Sequence, residues 1–265
     1  VSLKVMNNSL LNNYAIVCGS TQGIGLCVAQ NLAKKGFNLI LVSRNEKKLQ
    51  QIISSLPKTN KEHLFIACDF NKPDELKEKV SSLIKKHKVT ILINNTGGPS
   101  SGTILESQKE DFISAFKMHV ICSQILTKLV VPEMKKIKFG RIINIISTSV
   151  KAPIKNLGVS NTIRGAVANW SKTLSNELGE YSITVNNILP GYTNTKRLES
   201  LIQKKSESSG ESINVVKQKM INSVPAKRFG EPEEVAHLVS FLISSKASYI
   251  NGTNIVIDGG RTASL

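Results

Sequence analysis

The chain has 265 residues, and its 35 lysines and arginines against 19 aspartates and glutamates give a formal net charge of +16. This length suits one α/β domain with a substantial core, and nothing in the composition requires a division into two. The positive charge suggests a nucleic-acid partner, but the lysines are scattered over helix faces without interleaved aromatics, which argues against that class.

The four cysteines, at positions 18, 27, 68 and 122, form no Cys-x-x-Cys pair and have no histidine at zinc-ligand spacing. We therefore expect neither a disulfide framework nor a metal site. The first residues lack a signal-peptide pattern, and no apolar run approaches the length that a bilayer span needs. These observations predict a soluble, cytoplasmic protein with reduced thiols and no membrane partner.

Seven short apolar segments alternate with helical patterns, and each segment predicts a strand. The predicted strands cover residues 14–18, 38–42, 64–67, 91–93, 140–146, 184–189 and 254–257. Helices are predicted from residue 24 to Gly36, over 46–55, 73–87 and 108–134, and from residues 159 and 231 onward. Strands that alternate with helices predict a parallel sheet with helices on both faces, and ligands bind at the carboxyl ends of its strands.

Two of these segments suggest more than core packing. The long helix predicted over 108–134 has apolar residues on more than one side, which suggests that another subunit covers one face. Residues 195–222 are polar and rich in serine and lysine, which predicts a mobile substrate cap. The segments that follow the strands, 18–25, 43–44, 68–70, 94–97, 147–149 and 190–195, are expected to converge on one cleft.

The stretch Cys18-Gly19-Ser20-Thr21-Gln22-Gly23-Ile24-Gly25 joins the first predicted strand to the first helix. Its three glycines permit positive φ angles and let a ligand approach the backbone closely. Free N–H groups at the start of a helix attract phosphate. The stretch therefore predicts a nucleotide cradle.

With these motifs the chain resembles the short-chain dehydrogenases/reductases over essentially its whole length. The matching pieces are the glycine turn, Asp69, Asn94-Asn95-Thr96-Gly97, residues 140–147, Pro190-Gly191 with Thr193 and Thr195, residues 228–234, Asn251-Gly252 and residues 258–260. The resemblance implies a single-domain Rossmann fold over residues 1–265, with a doubly wound, seven-stranded parallel sheet. It also implies a nicotinamide dinucleotide, a small-molecule carbonyl or alcohol substrate, and a homotetramer or homodimer.

The end of the second predicted strand bears on the type of cofactor. A carboxylate there would bond the ribose 2′-hydroxyl of NAD, but this chain has Ser43 and Arg44. A guanidinium beside a hydroxyl suits a phosphate, which predicts NADP (NADPH) in preference to NAD; the alternative is that Arg44 is a solvated surface residue. The resemblance implies further cofactor contacts from Gly19, Ser20, Thr21, Gly23, Ile24, Gly25, Asp69, Phe70, Asn95, Thr96, Gly97, Arg164, Pro190, Gly191, Thr193 and Thr195.

The catalytic residues depart from the family pattern. The family uses a serine, a tyrosine, a lysine and an asparagine, and Ser147 matches the serine. Ser160 and Arg164 stand at the tyrosine and lysine positions, and their spacing keeps both on one helix face. A serine hydroxyl is a far weaker acid than a phenol of pKa about 10, and an arginine keeps its proton at any working pH.

His119 stands at the asparagine position. A histidine titrates near neutrality and could donate or relay a proton. The alternative is a packed helix residue whose backbone carbonyl alone holds a water relay. Tyr192 is expected to form a wall of the nicotinamide pocket and not to act as the acid.

Three functions remain open from the sequence. The first is an NADP-dependent carbonyl reductase or alcohol dehydrogenase, with 3-oxoacyl thioesters among the candidate substrates. In it Ser147 and Ser160 bind the carbonyl oxygen and Arg164 supplies positive charge. His119 or water delivers the proton. The second is a protein of this fold that binds NADP(H) without hydride transfer, as a sensor or assembly partner, and the third is a secondary nucleic-acid binder. We favour the first, because Ser147 occurs together with the cofactor cradle.

Overall fold

The computed structural model describes residues 11–264. The domain predicted over residues 1–265 includes residues 1–10 and 265, which lie outside the described range. The strands are β1 (Tyr14–Cys18), β2 (Asn38–Ser43), β3 (Leu64–Ala67), β4 (Val89–Asn94), β5 (Gly140–Ile145), β6 (Ile183–Pro190) and β7 (Asn254–Ile257). They form one sheet in the order β3-β2-β1-β4-β5-β6-β7, and every pair of neighbours is parallel. The order reverses direction between β1 and β4, which is where such sheets bind ligands.

Helices cover both faces of the sheet. They are α1 (Gly23–Lys34), α2 (Glu46–Ser55), α3 (Pro73–Ile84), α4 (Lys109–Phe116), α5 (Cys122–Ile137), α6 (Gly158–Leu178), α7 (Lys196–Ser209), α8 (Ile213–Asn222) and α9 (Pro232–Leu242). Side chains of a strand point alternately to opposite faces. In β1, Val17 packs with α1, α2 and α9, whereas Ile16 packs with α3 and α5. The predicted doubly wound α/β fold is therefore confirmed.

The long helix predicted over 108–134 is not a single α-helix. A π-helical turn, Lys117–Ile121, separates α4 from α5, and α5 continues to Ile137. His119 lies in this turn, and its carbonyl oxygen accepts a hydrogen bond from the Ser123 hydroxyl at 2.7 Å. A π-turn inserts one residue into the helical repeat, and a pattern of apolar spacing does not reveal such an insertion.

The helical segment from Lys109 to Ile137 is long and apolar enough, by length and composition alone, to cross a membrane. No apolar run in the sequence predicted a segment of this kind. Within α5, however, Leu126, Val130 and Met134 are buried in the cluster that also contains residues of α3 and β4. The burial is that of a helix packed into the core of a folded domain.

Residues 195–222, predicted as a polar cap, form α7 and α8. The hydroxyls of Thr195 and Ser212 cap these helices by accepting hydrogen bonds from N–H groups of their first turns. The helices pack together through a small apolar cluster of Leu198, Ile202, Val216, Met220 and Phe229. The cap is therefore built of amphipathic helices, and its mobility stays a prediction.

Four asparagines form a row of hydrogen bonds across the sheet, three of them buried and the fourth, Asn254, exposed on the edge strand. Asn94, Asn144, Asn187 and Asn254 occupy paired positions on β4 to β7. Each side-chain Nδ2 donates to the Oδ1 of the next, at 2.9, 2.9 and 2.8 Å. Asn144 also donates to the Ser171 hydroxyl at 3.2 Å. Buried amides need such partners, so the row ties together the strands that carry the site.

Candidate active site

The glycine turn between β1 and α1 requires glycine for two different reasons. Gly19 and Gly23 have positive φ angles of 60° and 52°. Gly25 does not, so the need for glycine at this position comes from close packing alone. A Cβ on Gly25 would collide with the Gly19 carbonyl oxygen, and one on Gly19 would lie 2.5 Å from the Asn95 carbonyl oxygen. The turn is thus packed tightly against the end of β4.

The start of α1 fits a phosphate group. Gln22 at the N-cap forms no side-chain capping bond with the described residues, and the first turn has no acidic side chain. Its first N–H groups are therefore left for an anion, which the helix dipole also favours. Thr195 packs over the turn, with its Cγ2 3.1 Å from the position of a Cβ on Gly23. These features are those of a dinucleotide cradle.

The residues predicted on the adenosine side lie next to this turn. The hydroxyls of Thr21 and Ser43 are 2.9 Å apart. Arg44 is exposed, and its guanidinium forms no hydrogen bond or ion pair with any described residue. The Asp69 carboxylate accepts a hydrogen bond from the Asn71 N–H at 2.9 Å, and Phe70 is buried. Arg44 is therefore available to a 2′-phosphate, and its role in binding stays a prediction.

A cavity of about 500 Å³ opens beside the turn, between the ends of β4 to β6 and helix α7. The predicted site residues that line it are Ile24, Asn95, Thr96, Gly97, Ser147, Ser160, Arg164, Pro190, Gly191, Tyr192, Thr193 and Thr195. The predicted residues outside this lining are Gly19, Ser20, Thr21, Gly23, Gly25, Ser43, Arg44, Asp69, Phe70 and His119. All but His119 belong to the glycine turn or follow β2 and β3, as expected for the other half of an extended ligand.

Ser147, Ser160 and Arg164 all line this cavity. The Ser147 Oγ accepts a hydrogen bond from the Ser149 N–H at 3.1 Å, because Ser147 caps a short 3₁₀ turn after β5. Ser160 is in the first turn of α6, and its hydroxyl forms no hydrogen bond with a described residue. Both hydroxyls therefore retain a proton that they can donate to a ligand in the cavity.

Arg164 is a buried cation, 7% exposed, without a carboxylate partner among the described residues. One Nη1–H donates to the Ile145 carbonyl oxygen at 3.0 Å, while Nε has no partner within residues 11–264. Burial, and to a smaller extent the charge of Arg197, lowers the pKa of Arg164 to about 10. The side chain stays protonated at neutral pH and presents positive charge to the cavity.

His119 lies behind the cavity and not in its wall. It is 4% exposed, and its Nδ1 is 2.6 Å from the Thr96 hydroxyl. Its ring borders a small internal cavity that it shares with Arg164. Burial first, and then the charge of Arg164, lowers the pKa of His119 well below its usual range, and a hydrogen bond with the Gly97 backbone acts in the opposite direction. The ring is neutral at pH 7, and it contacts the main cavity only through residues that line it, such as Thr96.

Comparison with known proteins places this arrangement in a family. A family model described as Enoyl-(Acyl carrier protein) reductase matches residues 19–262. The chain is also 32% identical over 260 residues to the Bos taurus protein Dehydrogenase/reductase SDR family member 4, across 97% of this chain and 90% of that protein. The chain belongs to the short-chain dehydrogenase/reductase family. The oxidoreductase family predicted from the sequence motifs is thereby confirmed.

Two further relatives resemble this short-chain dehydrogenase/reductase over almost its full length. The NADPH-dependent reductase BacG of Bacillus subtilis is 30% identical over 256 residues, which cover 95% of this chain and 98% of that protein. The crystal structure of L-sorbose reductase from Gluconobacter frateurii, complexed with NADPH and L-sorbose, superposes with a TM-score of 0.90 at 30% identity. That match covers 97% of this chain and 98% of the other.

Two arginines that line the cavity of this short-chain dehydrogenase/reductase, Arg197 and Arg261, were not predicted from the sequence. The Arg197 guanidinium donates to the carbonyl oxygens of Gly98 and Pro99, at 3.2 and 2.9 Å, and so joins α7 to the loop after β4. The Arg261 guanidinium lies 4.1 Å from the Tyr192 ring centre. Amphipathic spacing within 197–208 was the available signal for the cap. The Arg197 contact itself spans about a hundred residues and has no local signature.

Proposed function

We propose that this chain is an NADPH-dependent reductase of small carbonyl compounds. The observation that carries the proposal is that Ser147, Ser160 and Arg164 line one cavity directly beside the glycine turn. NADPH is supported by the names of two relatives, a reductase described as NADPH-dependent and a sorbose reductase crystallised with NADPH. A free guanidinium beside a hydroxyl, at Arg44 and Ser43, supports the same cofactor.

The residues present fit this cofactor. The N–H groups at the start of α1 would hold its pyrophosphate, and Ser43 and Arg44 would hold its 2′-phosphate. Thr195 covers the turn from the opposite side. When bound, the cofactor supplies a hydride to the substrate.

The chain's own groups act on the substrate oxygen. The hydroxyls of Ser147 and Ser160 donate hydrogen bonds to the carbonyl oxygen and hold it in place. Arg164 stabilises the negative charge that develops on this oxygen, and its burial strengthens the effect. Because Arg164 keeps its own proton, we propose that the proton reaches the oxygen from solvent through the Ser160 hydroxyl. In this scheme His119 does not contact the substrate and lies beside Arg164 at the small cavity.

Oxidation of NADPH against ketones, aldehydes, quinones and 3-oxoacyl thioesters tests the proposal. Ser147→Ala and Ser160→Ala should each lower kcat about 10²–10³-fold, as expected for the loss of a donor to a developing oxyanion. Ser149→Ala is the matched control, because this buried serine of the same loop does not line the cavity. Tight NADPH binding without oxidation of NADPH by any compound would instead favour a sensor or assembly role.

The cofactor assignment has its own test. Arg44→Ala should weaken NADPH binding about 10–100-fold, the value of a charge-assisted hydrogen bond, and leave NADH binding nearly unchanged. Lys47→Ala, which removes an exposed charge from the same region, is the control. Equal losses for both cofactors would contradict the assignment to NADP.

We also propose that the protein forms a homotetramer or homodimer, as the family resemblance implies. The apolar side chains of Ile113 and Phe116 on α4 are 50% and 42% exposed, which supports a covered face at this helix. Light scattering on the purified protein tests this, and a monomer at micromolar concentration would contradict it.

A further inference from the structure

The two faces of helix α7 carry opposite charge. The residues of α7 that line the cavity recur at intervals of three or four, and they are Arg197, Leu198, Leu201, Lys204, Lys205 and Ser208. The acidic residues of the helix, Glu199 and Glu207, do not line it, and the Gln203 side chain donates to Glu207 on the other face at 2.8 Å. Lys196 is the one basic residue of α7 outside this lining, so the cavity face carries three basic residues and no acidic one, whereas the rest of the helix carries both acidic residues.

The lysines on the cavity face have no protein partner. Lys204 and Lys205 are exposed, and neither forms an ion pair with a described residue. Lys155 reaches the same cavity from the opposite wall and is also unpaired among residues 11–264. Glu106 is the one acidic residue among those lining this cavity, and its Oε2 accepts a hydrogen bond from the Thr103 hydroxyl at 2.6 Å.

This positive charge lies away from the part of the site that fits the pyrophosphate. Thr195, which packs over the glycine turn, immediately precedes α7. Lys204 and Lys205 come nine and ten residues later, which is about 13–15 Å along the helix axis at 1.5 Å per residue. The turn at α1 already supplies donors for the phosphates. The lysines therefore face whatever occupies the outer part of the cavity.

We propose that the substrate carries an anionic oxygen group, a carboxylate or a phosphate, at the end remote from its carbonyl. Lys204 and Lys205 hold this group from the cap, and Lys155 faces it from the other wall. The inference rests on the proposed reductase function. Each exposed ammonium group on a long stem contributes modestly to the binding of an anion, and the two together act as determinants of specificity.

Matched substrates with and without the charge test this inference. The first pair is levulinate and methyl levulinate, and the second is dihydroxyacetone phosphate and dihydroxyacetone. The double variant Lys204→Gln/Lys205→Gln should lower kcat/KM about tenfold for the charged member of the preferred pair and less than twofold for the neutral member. The preferred pair distinguishes a carboxylate from a phosphate.

The control removes the same charge elsewhere. Lys85→Gln/Lys86→Gln alters two adjacent exposed lysines just after α3, outside the cavity lining, and should leave all four substrates unaffected. Raised salt should slow the charged substrates selectively in the wild type. Equal losses for charged and neutral substrates in the α7 variant would overturn the inference, as would a parallel loss of NADPH affinity.

Binding measurements separate this inference from the reductase proposal. If no carbonyl compound is reduced, the proposed function fails, and calorimetric titration of levulinate and dihydroxyacetone phosphate into NADP⁺-loaded protein decides the inference. Binding of either anion that weakens about tenfold in the α7 double variant, but not in the control, supports it. Absence of binding to the wild type, or equal binding to wild type and variant, overturns it.

Discussion

Replacement of Arg164 by methionine should stabilise the fold while it removes activity. Burial lowers the pKa of this guanidinium from 12.5 to about 10. For a base, a lowered pKa in the folded state means that folding disfavours the charged form, by about 3 kcal/mol at 1.36 kcal/mol per pH unit. This destabilisation is complete at pH 7 and is relieved only as the pH rises from about 10 to 12.5.

Methionine keeps an unbranched side chain at this position without the charge. The Arg164→Met variant also loses the bond to the Ile145 carbonyl, which offsets about 1 kcal/mol of the gain. We therefore expect the free energy of unfolding of the cofactor-free protein to rise by about 1–2 kcal/mol, and the Tm by about 2–8 °C. Carbonyl reduction should fall about 10²–10³-fold, because the developing oxyanion loses the buried cation of the cavity lining.

Thermal unfolding followed by circular dichroism, together with steady-state NADPH oxidation, measures both effects. Arg141→Met is the matched control. Arg141 is the other buried arginine, 2% exposed, whose pKa burial lowers to about 10, but it lies at the start of β5, outside the cavity lining. This control should change stability and leave turnover unaltered. An Arg164→Met protein that is destabilised by more than about 1 kcal/mol and fully active would refute the reasoning.

Three further outcomes follow from the geometry. Gly25→Ala places a Cβ against a carbonyl oxygen of the same turn. NADPH binding, measured by fluorescence, should weaken at least about tenfold. Unchanged affinity would contradict the assignment of this turn as the dinucleotide cradle. Asn144→Leu leaves the amides of Asn94 and Asn187 without their partner. This variant should lower the free energy of unfolding in urea by about 3–5 kcal/mol. A loss below about 1 kcal/mol would mean that the asparagine row contributes little to stability. Because the pKa of His119 is well below its usual range, the pH–rate profile should show no ionisation of this residue between about pH 6 and 8, and His119→Asn should leave its shape unchanged.

The sheet, and the strand ends at which the candidate site lies, could be predicted because their signals are local. Strands such as 64–67 and 254–257 are short apolar runs bounded by polar residues, and their predicted ends agree with the structure. Parallel topology then brings the strand ends together without further information. Ser147, Ser160 and Arg164 follow from spacing along one strand end and one helix face, and the structure places all three in one cavity.

The features that could not be predicted from the sequence depend on contacts between distant segments of the chain. The neutral state of His119 results from its burial beside Arg164, and these two residues lie on different helical segments. The cap was predicted only as a polar segment. Helices α7 and α8 bury narrow apolar stripes, and the composition of an exposed helix face resembles that of a loop. The bonds of Arg197 to the loop after β4 depend on how the cap folds back.

All hydrogen bonds of the asparagine row point the same way, and one end of the row lies beside the candidate active site. Along the row Asn94 donates, Asn254 accepts, and the asparagines between them do both. A carboxylate can only accept, so an aspartate suits the β7 end and no other position. The aligned amide dipoles leave their negative end at Asn94, in the wall of the small cavity that also contains Arg164. The row therefore ends, on its negative side, in the wall of a cavity shared with a buried cation that has no carboxylate partner among residues 11–264.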